Sequence, residues 1–287
     1  MADDTKNQDN SEQSRRDFVG LSVAAGLVAA SSASGADSDV VETDVDIKTP
    51  DGTCDAAFFH PKSGSHPGVL IWTDAFGLRP SMRGIGRRIA AEGYSVLVPN
   101  PFYRVAKNPF TDASTVDFAR DRGKITPLMT SVTTAGNAEK DAIAYIAFLD
   151  AQKQVNKKKK IGTQGYCMGG PLVVRTAATI PDRIGAGASF HGGGLVTANP
   201  DSPHLLAPKI KARMYFGIAS SDDKTQPDAK VKLKEAFPAA EVEVYMGVHG
   251  WCVPDMPKQA NGMPTYDKAD AEKAWVKLEA LYKAGLA

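Results

Sequence analysis

The sequence predicts an α/β protein with a mostly parallel central sheet flanked by helices and an N-terminal β-hairpin. Three observations predict it. Short, nearly continuous apolar runs such as Val69-Leu70-Ile71-Trp72 and Ser95-Val96-Leu97-Val98 read as strands buried on both faces. These runs alternate with segments whose apolar residues recur at helical spacing. No internal repeat or change of composition marks a second domain.

The elements follow in order. Val40 to Lys48 alternates between apolar and polar, and Cys54 to His60 follows across Pro50-Asp51-Gly52, which predicts the hairpin. The strand Val69–Trp72 leads to a helix over Ser81 to Glu92 and then to the strand Ser95–Val98. Residues 100–137 are too long for an ordinary connector, so short helices covering the site are expected there. Ala142, Tyr145, Ile146 and Leu149 mark the next helix. Lys160–Thr163 reads as a strand, followed by a helix on Leu172, Val173, Thr176, Ala177 and Ile180. Strands are expected at Ile184–Phe190, Met214–Ile218 and Val242–Met246. The last helix places Ala271, Ala274, Trp275, Leu278, Leu281 and Tyr282 on one face.

The start of the chain reads as an address. Ser14-Arg15-Arg16-Asp17-Phe18-Val19 has the twin-arginine pattern, followed by an uncharged run to about Ala30 and the small residues Ser34-Gly35-Ala36. Residues 1–36 are therefore expected to be a twin-arginine signal peptide. The partner is the twin-arginine export machinery, and the destination is periplasmic or secreted. The apolar run falls short of the roughly 20 residues a bilayer needs, so no stable membrane span is expected. Residues 37–287 form the expected single domain. With 34 basic against 33 acidic side chains, the chain offers no electrostatic case for nucleic acid. Three cysteines, Cys54, Cys167 and Cys252, make no disulfide framework, although a Cys54–Cys252 bridge is conceivable in an oxidising compartment. No His/Cys/Asp spacing resembles a metal site.

The chemistry concentrates at Gly165-Tyr166-Cys167-Met168-Gly169-Gly170, where a strand gives way to a helix. Small neighbours allow a sharp turn that pushes the central side chain outward, the device that exposes a nucleophile. Asp222 and His249 each follow a later predicted strand, so the chain order is nucleophile, acid, histidine. A thiol is only partly ionised at neutral pH, and an imidazole beside it supplies the anion. A carboxylate would fix the imidazole tautomer, with Asp223 the immediate rival of Asp222. An oxyanion needs fixed N–H donors, here from Met168 and from the loop Thr73-Asp74-Ala75-Phe76-Gly77. Secondary candidates for contact with substrate are Tyr103, Arg104, His191 and Trp251. His191 ends a strand, and Tyr103 and Arg104 follow Asn100-Pro101-Phe102.

The cysteine elbow, the Asp74-Ala75-Phe76-Gly77 loop and the His249-Gly250 turn resemble the dienelactone hydrolase (carboxymethylenebutenolidase) family over about residues 40–285. The resemblance implies the α/β-hydrolase fold, no metal or organic cofactor, and hydrolysis of a small ester or lactone. It implies Cys167 as nucleophile, Asp222 as orienting acid and His249 as base, with Ala75 and Met168 supplying the oxyanion-hole amides. In that family a glutamate typically fills the position of Asp74 and takes part in thiol activation, a role the resemblance transfers to Asp74. The arginine found four residues after the histidine in enzymes acting on dienelactone is replaced here by Val253. The alternative reading is a non-catalytic ligand-binding protein that retained the fold.

Overall fold

A computed structural model describes residues 39–107 and 112–287; the expected signal peptide lies outside the described residues. The strands are β1 (Val40–Thr49), β2 (Gly52–Pro61), β3 (Gly68–Trp72), β4 (Ser95–Pro99), β5 (Ile161–Tyr166), β6 (Ile184–Phe190), β7 (Arg213–Ala219) and β8 (Glu241–Tyr245). They form one sheet in the order β1-β2-β4-β3-β5-β6-β7-β8. The β1–β2 hairpin and the β2–β4 pairing are antiparallel, and every other pairing is parallel.

The helices are α1 (Pro80–Ala91), α2 (Phe118–Thr133), α3 (Asn137–Ala151), α4 (Gly169–Thr179), α5 (Ser220–Thr225), α6 (Ala229–Ala236) and α7 (Lys268–Gly285). Successive strand residues point to opposite faces, so one strand feeds two cores. Leu70 and Trp72 of β3 join Tyr145, Leu149, Leu172 and Val173 under α3 and α4. Val69 and Ile71 join Ile89, Trp275, Leu278 and Tyr282 under α1 and α7. The two covered faces explain why the β3, β4 and β5 runs lack polar alternation.

Local chemistry sets the helix starts. Pro80 occupies the first turn of α1, where its missing N–H costs nothing. The Asp117 carboxylate caps α2 by accepting from Ala119 and Arg120 N–H, and Asp267 caps α7 by accepting from Asp270 N–H. The long 100–137 segment contains the sixteen-residue helix α2, an element of greater length than the sequence signals. Ala113, Val116 and Ile125 of this segment pack on Ala75 and Phe76. Two further helices, α5 and α6, were not expected. The α5 sequence Ser-Ser-Asp-Asp-Lys-Thr has no apolar residue to show a period.

All three cysteines are free. Cys54 packs in the core under α3, where burial pushes its thiol up to about 12. Cys252 packs against the opposite core, under α1 and α7. The sheet separates the two, so the conceivable Cys54–Cys252 bridge does not form.

Candidate active site

Parallel strands all present their carboxyl ends on one side, and β5, β7 and β8 deliver the three candidate residues there. Cys167 follows β5 and adopts φ +51°, a left-handed conformation that is costly for a side-chain-bearing residue. The surroundings hold it. Its N–H is shared between Phe190 O and His191 Nδ1, both at 3.1 Å. Its carbonyl accepts from Gly170 N–H at 3.1 Å and Gly193 N–H at 3.3 Å. A Cβ on Gly165 would lie 2.2 Å from Gly169 O, and one on Gly169 would lie 2.5 Å from Trp72 O. Only glycine lets the strand, the turn and α4 approach this closely. The thiol is half-buried beside the start of α4, whose dipole favours negative charge.

His249 follows β8, and its Nδ1 pairs with Asp222 Oδ2 at 2.8 Å. Its backbone N–H donates to Ser221 Oγ at 2.9 Å, so the first turn of α5 holds both the ring and the main chain. Asp223 turns away to Lys230 at 2.8 Å. Burial alone would strip the imidazole of its charge. The Asp222 hydrogen bond and the neighbouring Cys167 sulfur outweigh burial and raise His249 to about 10. The environment thus favours a proton on His249 next to the thiol.

His191 ends β6 and joins this cluster. The ligand atoms of Cys167, His191 and His249 all lie within 4.8 Å of one another. His191 is fully buried, with its ring centroid 4.9 Å from that of His249. Burial, and then the charge on His249, push its pKa well below the usual histidine value and keep it neutral.

Ala75 lies in the loop after β3 and Met168 directly follows Cys167 before α4, and among the described residues neither N–H has an acceptor. The neighbouring Asp74 departs from its expected role. Its carboxylate takes a bidentate pair from Arg79 (2.7 and 2.9 Å) and the Phe76 N–H (2.9 Å). No hydrogen bond joins the Asp74 carboxylate to the Cys167 thiol among the described residues. Arg79 in turn donates to both oxygens of Asp255, at 2.7 and 2.8 Å, and to Gly77 O at 3.2 Å. Burial opposes a charge on Arg79, but its two carboxylates hold it fully protonated. One buried guanidinium thereby ties the β3 loop to the loop after His249. Sequence reading missed Arg79 and Asp255, which lie 176 positions apart with no motif linking them.

Tyr103 and Arg104 also depart from expectation. Tyr103 Oη bonds Thr49 and Asp141, while Arg104 pairs with Asp51 and Asp141. These partners belong to the hairpin turn and α3, so both side chains brace the fold rather than join the thiol cluster. Trp251 is fully buried and stacks on Tyr245 at 4.2 Å. It lies edge-on to His191 at 6.4 Å and supports that ring from behind.

The model of a family described as "Dienelactone hydrolase family" matches residues 54–285. Protein usf of Aquifex pyrophilus is 28% identical over 233 residues, covering 78% of this chain and 90% of that protein. The carboxymethylenebutenolidase of Rhodococcus opacus is 30% identical over 143 residues, covering 48% and 50%. The solved structure named m3DLH superposes with a TM-score of 0.70 at 20% identity, covering 87% of this chain and all of that one. An α/β sheet with this elbow, matched by the family model over most of its length, places the chain in the dienelactone hydrolase family of hydrolytic enzymes.

Proposed function

We propose that the protein hydrolyses a small carboxylic ester or lactone through a Cys167–His249–Asp222 triad and a thioester intermediate. The observation that carries this reading is the Asp222–His249 pair beside an outward-turned, strained Cys167. The His249 proton favours a thiolate, which attacks the substrate carbonyl. Negative charge moving onto the carbonyl oxygen is met by the Ala75 and Met168 N–H groups. As the tetrahedral intermediate collapses, His249 gives its proton to the leaving alkoxide and a thioester remains on Cys167. Neutral His249 then takes a proton from water, the hydroxide equivalent attacks the thioester, and the thiol leaves as thiolate while the acid is released. Asp222 holds the ring with Nε2 facing the reaction throughout.

Arg79 replaces the thiol as the partner of Asp74, so activation here rests on His249 and the α4 terminus. Without the arginine expected at position 253, a substrate carboxylate has no counter-ion there, which favours uncharged esters and lactones. A panel of small esters and lactones tests this. Turnover of uncharged members should exceed that of matched carboxylate-bearing ones; the reverse preference would contradict the reading.

The leader pattern supports export by the twin-arginine route to the periplasm or beyond. Replacing Arg15 and Arg16 together by lysine should hold the protein in the cytoplasm. Undiminished export of that variant would refute the assignment.

A further inference from the structure

We propose that His191 is a positioning residue for the nucleophile, its unprotonated Nδ1 clamping the Cys167 main chain in the conformation that turns the sulfur outward. Among the described residues, Cys167 (φ +51°) and His191 (φ +39°) are the two non-glycine residues with positive φ. They are bonded to each other, the Cys167 N–H donating to His191 Nδ1 at 3.1 Å. Positive φ is uncommon outside glycine and gathers at functional sites.

The clamp has a firm base. The His191 N–H donates to Gly217 O of β7 at 2.7 Å, and the Cys167 carbonyl accepts from Gly193 N–H at 3.3 Å. A Cβ on Gly170 would lie 2.5 Å from the Gly192 Cα, so the segment after β6 lies against the start of α4. An acceptor at Nδ1 requires the ring proton on Nε2. Burial and the charge on His249 keep the ring neutral. Its titratable neighbours are Tyr166, Cys167 and His249, and no carboxylate is hydrogen-bonded to it to hold a second proton. The Nε2–H has no partner among the described residues. A stranded buried donor lowers stability, so this ring serves the elbow at the expense of the fold.

Without the acceptor, Cys167 is free to relax its φ and carry the sulfur away from His249. The effect on turnover rests on the function proposed above; the effect on thiol reactivity does not. The test uses three replacements in the full chain, each checked for folding by circular dichroism. His191→Asn keeps an acceptor close to the Nδ1 position and tolerates positive φ. His191→Leu has the same branched shape without the acceptor, and His191→Gly tolerates the backbone without it. Alkylation by iodoacetamide is followed from pH 5 to 9 by mass spectrometry of the Cys167 peptide, beside ester kinetics. The leucine and glycine variants should be alkylated on the order of 10-fold more slowly at pH 6 and approach wild type at pH 9, where a thiolate forms unaided. Their kcat should fall about 10- to 100-fold with KM changed less than about 3-fold, while the asparagine variant keeps most of both activities. A folded leucine or glycine variant alkylated like wild type at every pH, or an asparagine variant as impaired as leucine, overturns the clamp. The expected alkylation pattern in a protein that hydrolyses no ester would refute the functional reading and leave the clamp standing.

Discussion

Cys167→Ala is expected to lower kcat/KM for small esters by at least about 10³-fold, the scale lost when a triad nucleophile is removed. The sulfur is half-buried and sits at the solvent-facing bend, so its loss leaves no large cavity. Thermal stability should therefore change little, separating a chemical effect from a folding one. Residual turnover in the variant would come from the Ala75 and Met168 amides and from substrate positioning alone. Steady-state kinetics with the variant at matched concentration check this. Near wild-type turnover would remove the cysteine from the mechanism.

Arg79→Met is expected to cost about 3–5 kcal/mol of folding stability, the range for breaking a buried ion pair from one side. The Arg79 side chain is wholly inaccessible, as is nearly all of Asp74, so the abandoned carboxylate would have no water to turn to. Asp255 is 20% exposed and should suffer less. Arg79→Lys should rescue poorly, because one ammonium cannot reproduce a planar fork that donates to two carboxylates and a carbonyl. Adding Asp74→Asn and Asp255→Asn to Arg79→Met should recover part of the loss by removing the stranded charges. Since Asp74 adjoins Ala75, kcat should fall more than KM rises. Urea denaturation measures the stability effect. A loss of less than about 1 kcal/mol would show that the network is not a structural tie.

The fold was legible where burial leaves a regular imprint. Strands with both faces covered carry few polar residues, so β3, β4 and β6 stand out as largely apolar runs. Helices α3, α4 and α7 each bury one stripe and show it at a 3.6-residue period. The β5 strand extends beyond Thr163 to Tyr166 because Gln164 and Gly165, poor strand formers alone, are enclosed by neighbours on both sides. Helix α5 escaped notice because loop and strand contacts, rather than an apolar stripe, hold it.

Chain order and the strand-end rule drew attention to positions 167, 222 and 249, and the sheet brings all three to one edge. Contacts between distant loops were not legible. Nothing near Asp74 in sequence announces that Arg79 will claim it, since a two-carboxylate network exists only once Asp255 arrives from the far end of the chain. Tyr103 and Arg104 misled for the same reason: their partners, Asp51 and Asp141, lie far away in sequence. The gathering of His191 with His249 and Cys167 likewise depends on the β5–β6–β7–β8 strand order.

The most direct test of the central claim is to trap the covalent intermediate. The protein would be mixed with an activated acetate ester, quenched in acid within the first turnovers, digested and analysed by mass spectrometry. The account predicts one acetyl group on the Cys167 peptide, accumulating and decaying at rates that match turnover and missing from Cys167→Ala. Turnover with no acylation of Cys167 at any time, or with the acetyl group on another residue, would contradict it.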